Sequence, residues 1–98
     1  VADFCITKVK YSDDGEHIEW VVVREELEGK IGSERVVERA FVADLIRRNM
    51  ASFQTRIFNS TKKQWIKGAD IHVVEDEFLS TVRNSTKRDN LGNLPLLE

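Results

Sequence analysis

Residues 4–11 read FCITKVKY, aromatic and β-branched side chains interleaved with Thr and Lys, which suits a half-buried strand. Ser12-Asp13-Asp14-Gly15 follows. An Asp-Gly step between two β-rich runs predicts a hairpin, because both residues tolerate positive φ. Residues 17–25, HIEWVVVRE, supply the second strand. Strict alternation places Ile18, Trp20 and Val22 on one face and Glu19, Val21, Val23 and Glu25 on the other. Apolar residues on both faces predict a strand covered on both sides.

Residues 26–32 contain Gly29 and Gly32 and read as a loop or frayed hairpin turn. RVVER at 35–39 fits a short strand or the start of a helix. Residues 41–50, FVADLIRRNM, predict a helix: Val42, Leu45, Ile46 and Asn49 fall at i, i+3, i+4 and i+7. Arg47 and Arg48 suit its C-terminal dipole, and Ser33 is the earliest candidate cap. Strands are expected again at 52–58, 64–67, 70–75 and 78–83, with turn chemistry at 59–63 and a bulge or corner at Gly68. The expected fold is α+β: a small curled antiparallel sheet of five to six strands, approaching a half-open barrel, with one helix packed on it. Trp20, Trp65, Phe4, Phe41, Phe53, Phe58 and Phe78 are expected to supply most of the bulky core.

Ninety-eight residues make one modest domain, taken as 1–96 with Leu97-Glu98 as a probable cloning remnant. With 41% hydrophobic and 33% charged residues the composition is that of a globular chain rather than a disordered one. No apolar run reaches the roughly 18 residues of a membrane span, so no membrane association is expected. The single Cys5 excludes an internal disulfide and fits a reducing cytoplasm. A net charge of −2 argues against a constitutive nucleic-acid binder. The distribution adds something: residues 1–49 hold 8 basic and 11 acidic side chains, residues 50–98 hold 7 and 6. Between 54 and 68 lie Arg56, Lys62, Lys63 and Lys67 with no acid.

Four segments recur in the order of a known pattern: CITKVKYSDDGEHI at 5–18, the helix around 42–46, KQWIKGADIHVV at 63–74, and FLSTVRNSTKRDNLGNLP at 78–95. Together they resemble the bacterial domain-of-unknown-function family 3892, and the Asp-Asn-Leu-x-x-Leu-Pro tail is the specific part. The resemblance implies a bacterial origin and a domain spanning nearly the whole chain; it implies no activity.

The candidate chemistry is sparse. Cys5 with His17 or His72 is the one nucleophilic pairing, but an apolar strand normally holds a buried, inert thiol, and no orienting third group is evident. His17, Asp70, His72 and Glu75 lack metal-ligand spacing, and Asp13, Asp14 and Glu16 are most simply an exposed turn. No cofactor is implied. In the tail, Asp89, Asn90 and Asn93 either bond turn backbone while Leu91 and Leu94 plug the sheet, or recognise a ligand's polar edge. Arg56, Lys62, Lys63 and Lys67 with Phe58 and Trp65 are either a solvated hairpin tip or cations and stacking rings for single-stranded nucleic acid. With no assembled reactive centre, the expectation is a non-enzymatic accessory domain whose partner is a protein; the alternative is single-stranded nucleic acid bound through residues 54–68.

Overall fold

A computed structural model describes residues 2–15, 17–75, 78–81, 91 and 94–97. Strands β1 (Phe4–Tyr11) and β2 (Ile18–Leu27) form the expected hairpin. Gly15 takes φ 72° in the turn, and Ser12 donates its N–H to the His17 carbonyl. Leu27 then pairs with Lys30, so residues 26–32 form a tight turn with Gly29 at φ 75°, leading into β3 (Lys30–Ile31).

The ambiguous RVVER segment divides. Arg35–Glu38 is strand β4, paired with the outer edge of β2 from Trp20 to Val23. Helix α1 begins at once, Arg39–Arg47, with Glu38 as N-cap and no side-chain cap bond, so Ser33 plays no capping role. The helix ends in a left-handed turn at Asn49, φ 60°. Met50 donates back to the Leu45 carbonyl and Asn49 to Ile46, the 6→1 and 5→2 bonds of a Schellman motif.

After the helix, β5 (Phe53–Asn59) lies parallel to the first three residues of β1. It turns through residues 60–63 into antiparallel β6 (Gln64–Asp70). The sheet order is β3-β2-β1-β5-β6 with β4 also on β2, antiparallel in every pair except β1–β5. β7 (His72–Val74) and β8 (Phe78–Ser80) make a separate two-stranded ladder that, like α1, packs on the core. Beyond the reach of β5, Val9 donates its N–H to the Pro95 carbonyl at 3.0 Å and accepts from Leu97 at 2.8 Å. The backbone of Leu97, read from sequence as part of a remnant, is therefore tied into the β1 edge.

Three bulges re-aim side chains. Between the pairs Lys10–Trp20 and Tyr11–Ile18, β2 carries one extra residue, Glu19. A bulge changes the parity of the pleat. Ile18 therefore joins Val21 and Val23 in the core, instead of sharing a face with Trp20 and Val22 as strict alternation required. Thr7 is the extra residue on β1, which lets Ile6 and Val9 both reach the core. On β6 the step from Lys67 to Asp70 spans one residue more than that from Arg56 to Gln54, which places the third bulge at the expected Gly68. A Cβ at Gly68 would overlap Thr55 Oγ1, and Ala69 donates its N–H to that same oxygen at 3.0 Å.

The core is aliphatic rather than aromatic. Ile6, Val9, Ile18, Val21, Val42, Ile71, Leu79, Leu91 and Leu94 are buried around Phe53. Phe4 packs at the margin, stacked on Phe53 at 5.3 Å between centroids. Phe41 and Phe58 are exposed, while Trp20, Trp65 and Phe78 are half-buried. Each buried Ile, Leu or Val contributes about 1.5–3 kcal/mol. Leu91 and Leu94 seal the core as the plug reading required.

Gly68→Ala should lower stability by about 1–3 kcal/mol in urea unfolding, and the loss should shrink in a Thr55→Ala background where the clashing oxygen is gone.

Candidate functional site

The face of the sheet opposite α1 carries charged and polar side chains around the buried Cys5 and Val22. On β2, Val22, Arg24 and Glu26 alternate onto this side; β1 contributes Cys5, and β5 contributes Gln54 and Arg56. The β1–β5 pairing brings them together, because it sets β5 two strands away from β2 with only the small Cys5 between.

Glu26 is the hub. Its side chain is 4% exposed and receives Arg56 Nε at 2.6 Å, Arg56 Nη2 at 3.0 Å and Gln54 Nε2 at 2.7 Å. Burial alone would raise the Glu26 pKa, but the hydrogen bonds from Arg56 and Gln54 outweigh it and hold the carboxyl below its ordinary value. The same fork, working against burial, raises Arg56. The remaining Arg56 Nη1 donates to the Trp65 carbonyl at 3.2 Å. Arg56 therefore serves inside the fold, with its charge matched by an acid 30 residues away that the local sequence 54–68 does not contain.

Arg24 lies above this pair. Its guanidinium sits 5.1 Å from the Trp65 ring centroid, Nη1 donates to the Gly32 carbonyl at 3.0 Å, and Nη2 lies 3.6 Å from Glu34. Its Nε is buried with no hydrogen-bond partner. Trp65 is half-buried and meets Phe58 edge-on at 5.3 Å. Lys62, Lys63 and Lys67 are exposed. Asn59 Oδ1 caps the turn by accepting from the backbone N–H groups of Thr61 and Lys62, both at 3.0 Å. Lys63, at φ 53°, closes the turn beside Trp65.

The tips of the β2–β3 and β5–β6 hairpins lean over this face and leave a cleft of about 520 Å³ between them. Arg24, Glu26 and Arg56 are among the residues that line it, with Lys30 on one side and Lys63, Gln64 and Trp65 on the other. Sequence reasoning found Arg56, Lys63 and Trp65 and missed Arg24, Glu26 and Lys30. The period-two spacing of Val22, Arg24 and Glu26 was the available signal. Asp89, Asn90 and Asn93 lie outside the described residues.

Cys5 is completely buried, and burial together with the Glu26 charge pushes its pKa up to about 12. It pairs with Arg24 near one end of the β1–β2 ladder, whereas His17 lies beyond the other end, stacked on Phe78 at 5.0 Å. A nucleophile needs an accessible thiolate, whereas Cys5 is buried, and the group beside it is the Glu26 carboxylate, which disfavours the thiolate, rather than either His. Among the described residues no three His, Cys, Asp or Glu side chains gather as a metal site. None of their helices is long and apolar enough to cross a membrane.

The molecule is thus a small α+β domain with an open curled sheet, a helix on one face and a charged cleft on the other. A family model described as "Protein of unknown function (DUF3892)" matches residues 5–95, and the chain belongs to that family. No curated protein and no solved structure matches the chain.

Glu26→Gln should cost about 3 kcal/mol in chemical denaturation at neutral pH, because it leaves Arg56 beneath the hairpin tips without its counter-charge. The folded Glu26 pKa lies below its unfolded value, so the pair contributes fully above the ordinary carboxylate range and its contribution is lost as pH falls through the folded value. The variant should lack that component of acid destabilisation. Cys5 should resist a thiol reagent in the native protein at pH 8 and react once the chain is unfolded in urea; rapid native labelling would contradict its burial.

Proposed function

We propose that this is a binding domain that takes up an extended segment of a protein partner along the outer edge of β6. The observation that carries the reading is that β6 is an edge strand, with β5 as its strand partner among the described residues. A free edge offers a row of backbone donors and acceptors to an incoming strand. The β5–β6 ribbon is also apolar where an unused arm would be polar: Ile57, Phe58 and Ile66 are 45%, 47% and 41% exposed. Ile57 pairs with Ile66 on one face of the ribbon and Phe58 with Trp65 on the other, so an added strand would find apolar neighbours on both. Lys62, Lys63 and Lys67 favour a partner segment that alternates apolar and acidic residues.

Single-stranded nucleic acid is the weaker reading. Arg56 is committed to Glu26, and Trp65 has Arg24 over its ring and Phe58 at its edge, which leaves less cation and less free aromatic face for phosphates and bases. A cytoplasmic setting is part of the proposal and is supported by the free, buried Cys5.

Peptides selected on the domain from a random library should carry alternating apolar and acidic residues. In a backbone amide titration they should shift residues 64–70, and Ile66→Lys should weaken them about tenfold. Selected peptides that leave 64–70 unmoved would refute the reading. Salt-sensitive shifts at 54–68 with a mixed-sequence oligonucleotide would establish the nucleic-acid reading in its place.

A further inference from the structure

The cleft between the hairpin tips has a chemistry that strand addition at the outer edge of β6 does not use. Arg24, Lys30, Arg56 and Lys63 all line it; Glu26 is paired with Arg56 and Glu34 lies 3.6 Å from Arg24, so Lys30 and Lys63 remain as its uncompensated cations among the described residues. The Glu26 carboxylate is already satisfied by Arg56 and Gln54. The excess of positive charge stands out in a chain whose net charge is −2.

The individual donors point the same way. Lys30 and Lys63 are exposed at the two rims and have no acidic partner among the described residues. Arg24 is half-buried in the wall, held by the Gly32 carbonyl, by Glu34 at 3.6 Å and by the Trp65 ring. Concave, low-dielectric walls lined by one sign of charge concentrate counter-ions of the other. A volume of about 520 Å³ is the size of a small-molecule site, larger than an inorganic ion requires.

We propose that this cleft binds a small organic oxyanion, a molecule bearing phosphate or carboxylate groups. Lys30 and Lys63 clamp its charge from the two hairpins, and Arg24 contacts it from the wall. Arg56 and Glu26 act as positioning residues: their ion pair holds β2 and β5 at the spacing that leaves the cleft open between the tips.

The test is an amide and indole NMR titration of the whole chain. Pyrophosphate and citrate serve as separate probes, with ionic strength held constant by sodium chloride. Either probe should give saturable shifts at Gly29, Lys30, Lys63, Gln64 and the Trp65 indole N–H, with the Trp20 indole unmoved as internal reference. Saturation by pyrophosphate alone assigns a phosphate-bearing ligand, and saturation by citrate alone a carboxylate-bearing one. The exposed pair Lys30→Ala and Lys63→Ala should fold normally, as an unchanged amide spectrum elsewhere would verify, and weaken binding about tenfold. The proposal is overturned if neither probe saturates, if sodium chloride alone reproduces the shifts, or if the double variant binds as tightly as the parent. Failure of peptides to bind along β6 would leave these outcomes unchanged.

Discussion

A helix of nine residues can cover only one face of this sheet, and most of the structure follows from that limit. The covered face collects the aliphatic core, with β7, β8 and the Leu91–Leu94 plug extending the cover that α1 begins. Among the described residues the other face has no second layer. It cannot be left apolar, and at its centre it cannot be left fully solvated either, because the curled hairpins lean over it. The chain resolves this with a hydrogen-bonded ion pair instead of a second hydrophobic layer. Glu26 lies too deep to be tolerated alone, and Arg56 and Gln54 supply the three bonds that its buried oxygens require. The pair spans β1 and ties β2 to β5, the two strands that carry the hairpins.

The ion pair also decides what the cations of the β5–β6 arm are free to do. In sequence they share one acid-free stretch; in space they divide. Arg56 is turned inward and neutralised, while Lys62, Lys63 and Lys67 remain in solvent. Arg24, which lies outside that stretch, comes forward instead and lies against Trp65. The cleft and the free edge are thus separate consequences of one arrangement. The hairpins curl far enough to leave a cavity between their tips, but not far enough to bring β6 against β4 and close a barrel.

The bulges set which residues face which way. Glu19 and Thr7 each insert one residue, and each insertion exchanges the faces of everything beyond it. Ile18, Val21 and Val23 thereby line one side, although their spacing in a regular strand would split them. Gly68 works differently. It permits the backbone of β6 to approach Thr55, so the bulge there is stabilised by a hydrogen bond as well as tolerated by the lack of a side chain.

Local pattern was enough for the β1–β2 hairpin with its turn at Gly15, for β5, for most of the helix expected at 41–50 and found at 39–47, and for the bulge at Gly68, because these depend on side chains a few residues apart; it left β4 undecided, read β3 as loop and broke β6 at Gly68, where the strand runs on to Asp70. It was enough also for the family, since the tail motif is a string of letters, and for the burial of Cys5, Leu91 and Leu94, which follows from apolar character alone. It misjudged the core, because an aromatic ring is apolar wherever it lies: of the rings, Phe53 is buried there while Phe41 and Phe58 are exposed. It could not see the parity changes of β1 and β2, which are properties of a pair of strands. Nor could it find Glu26 beside Arg56, or Arg24 over Trp65. Those contacts span 30 and 41 positions and exist only because β5 returns parallel to β1, a choice made by the packing of the whole chain and written in no segment of it.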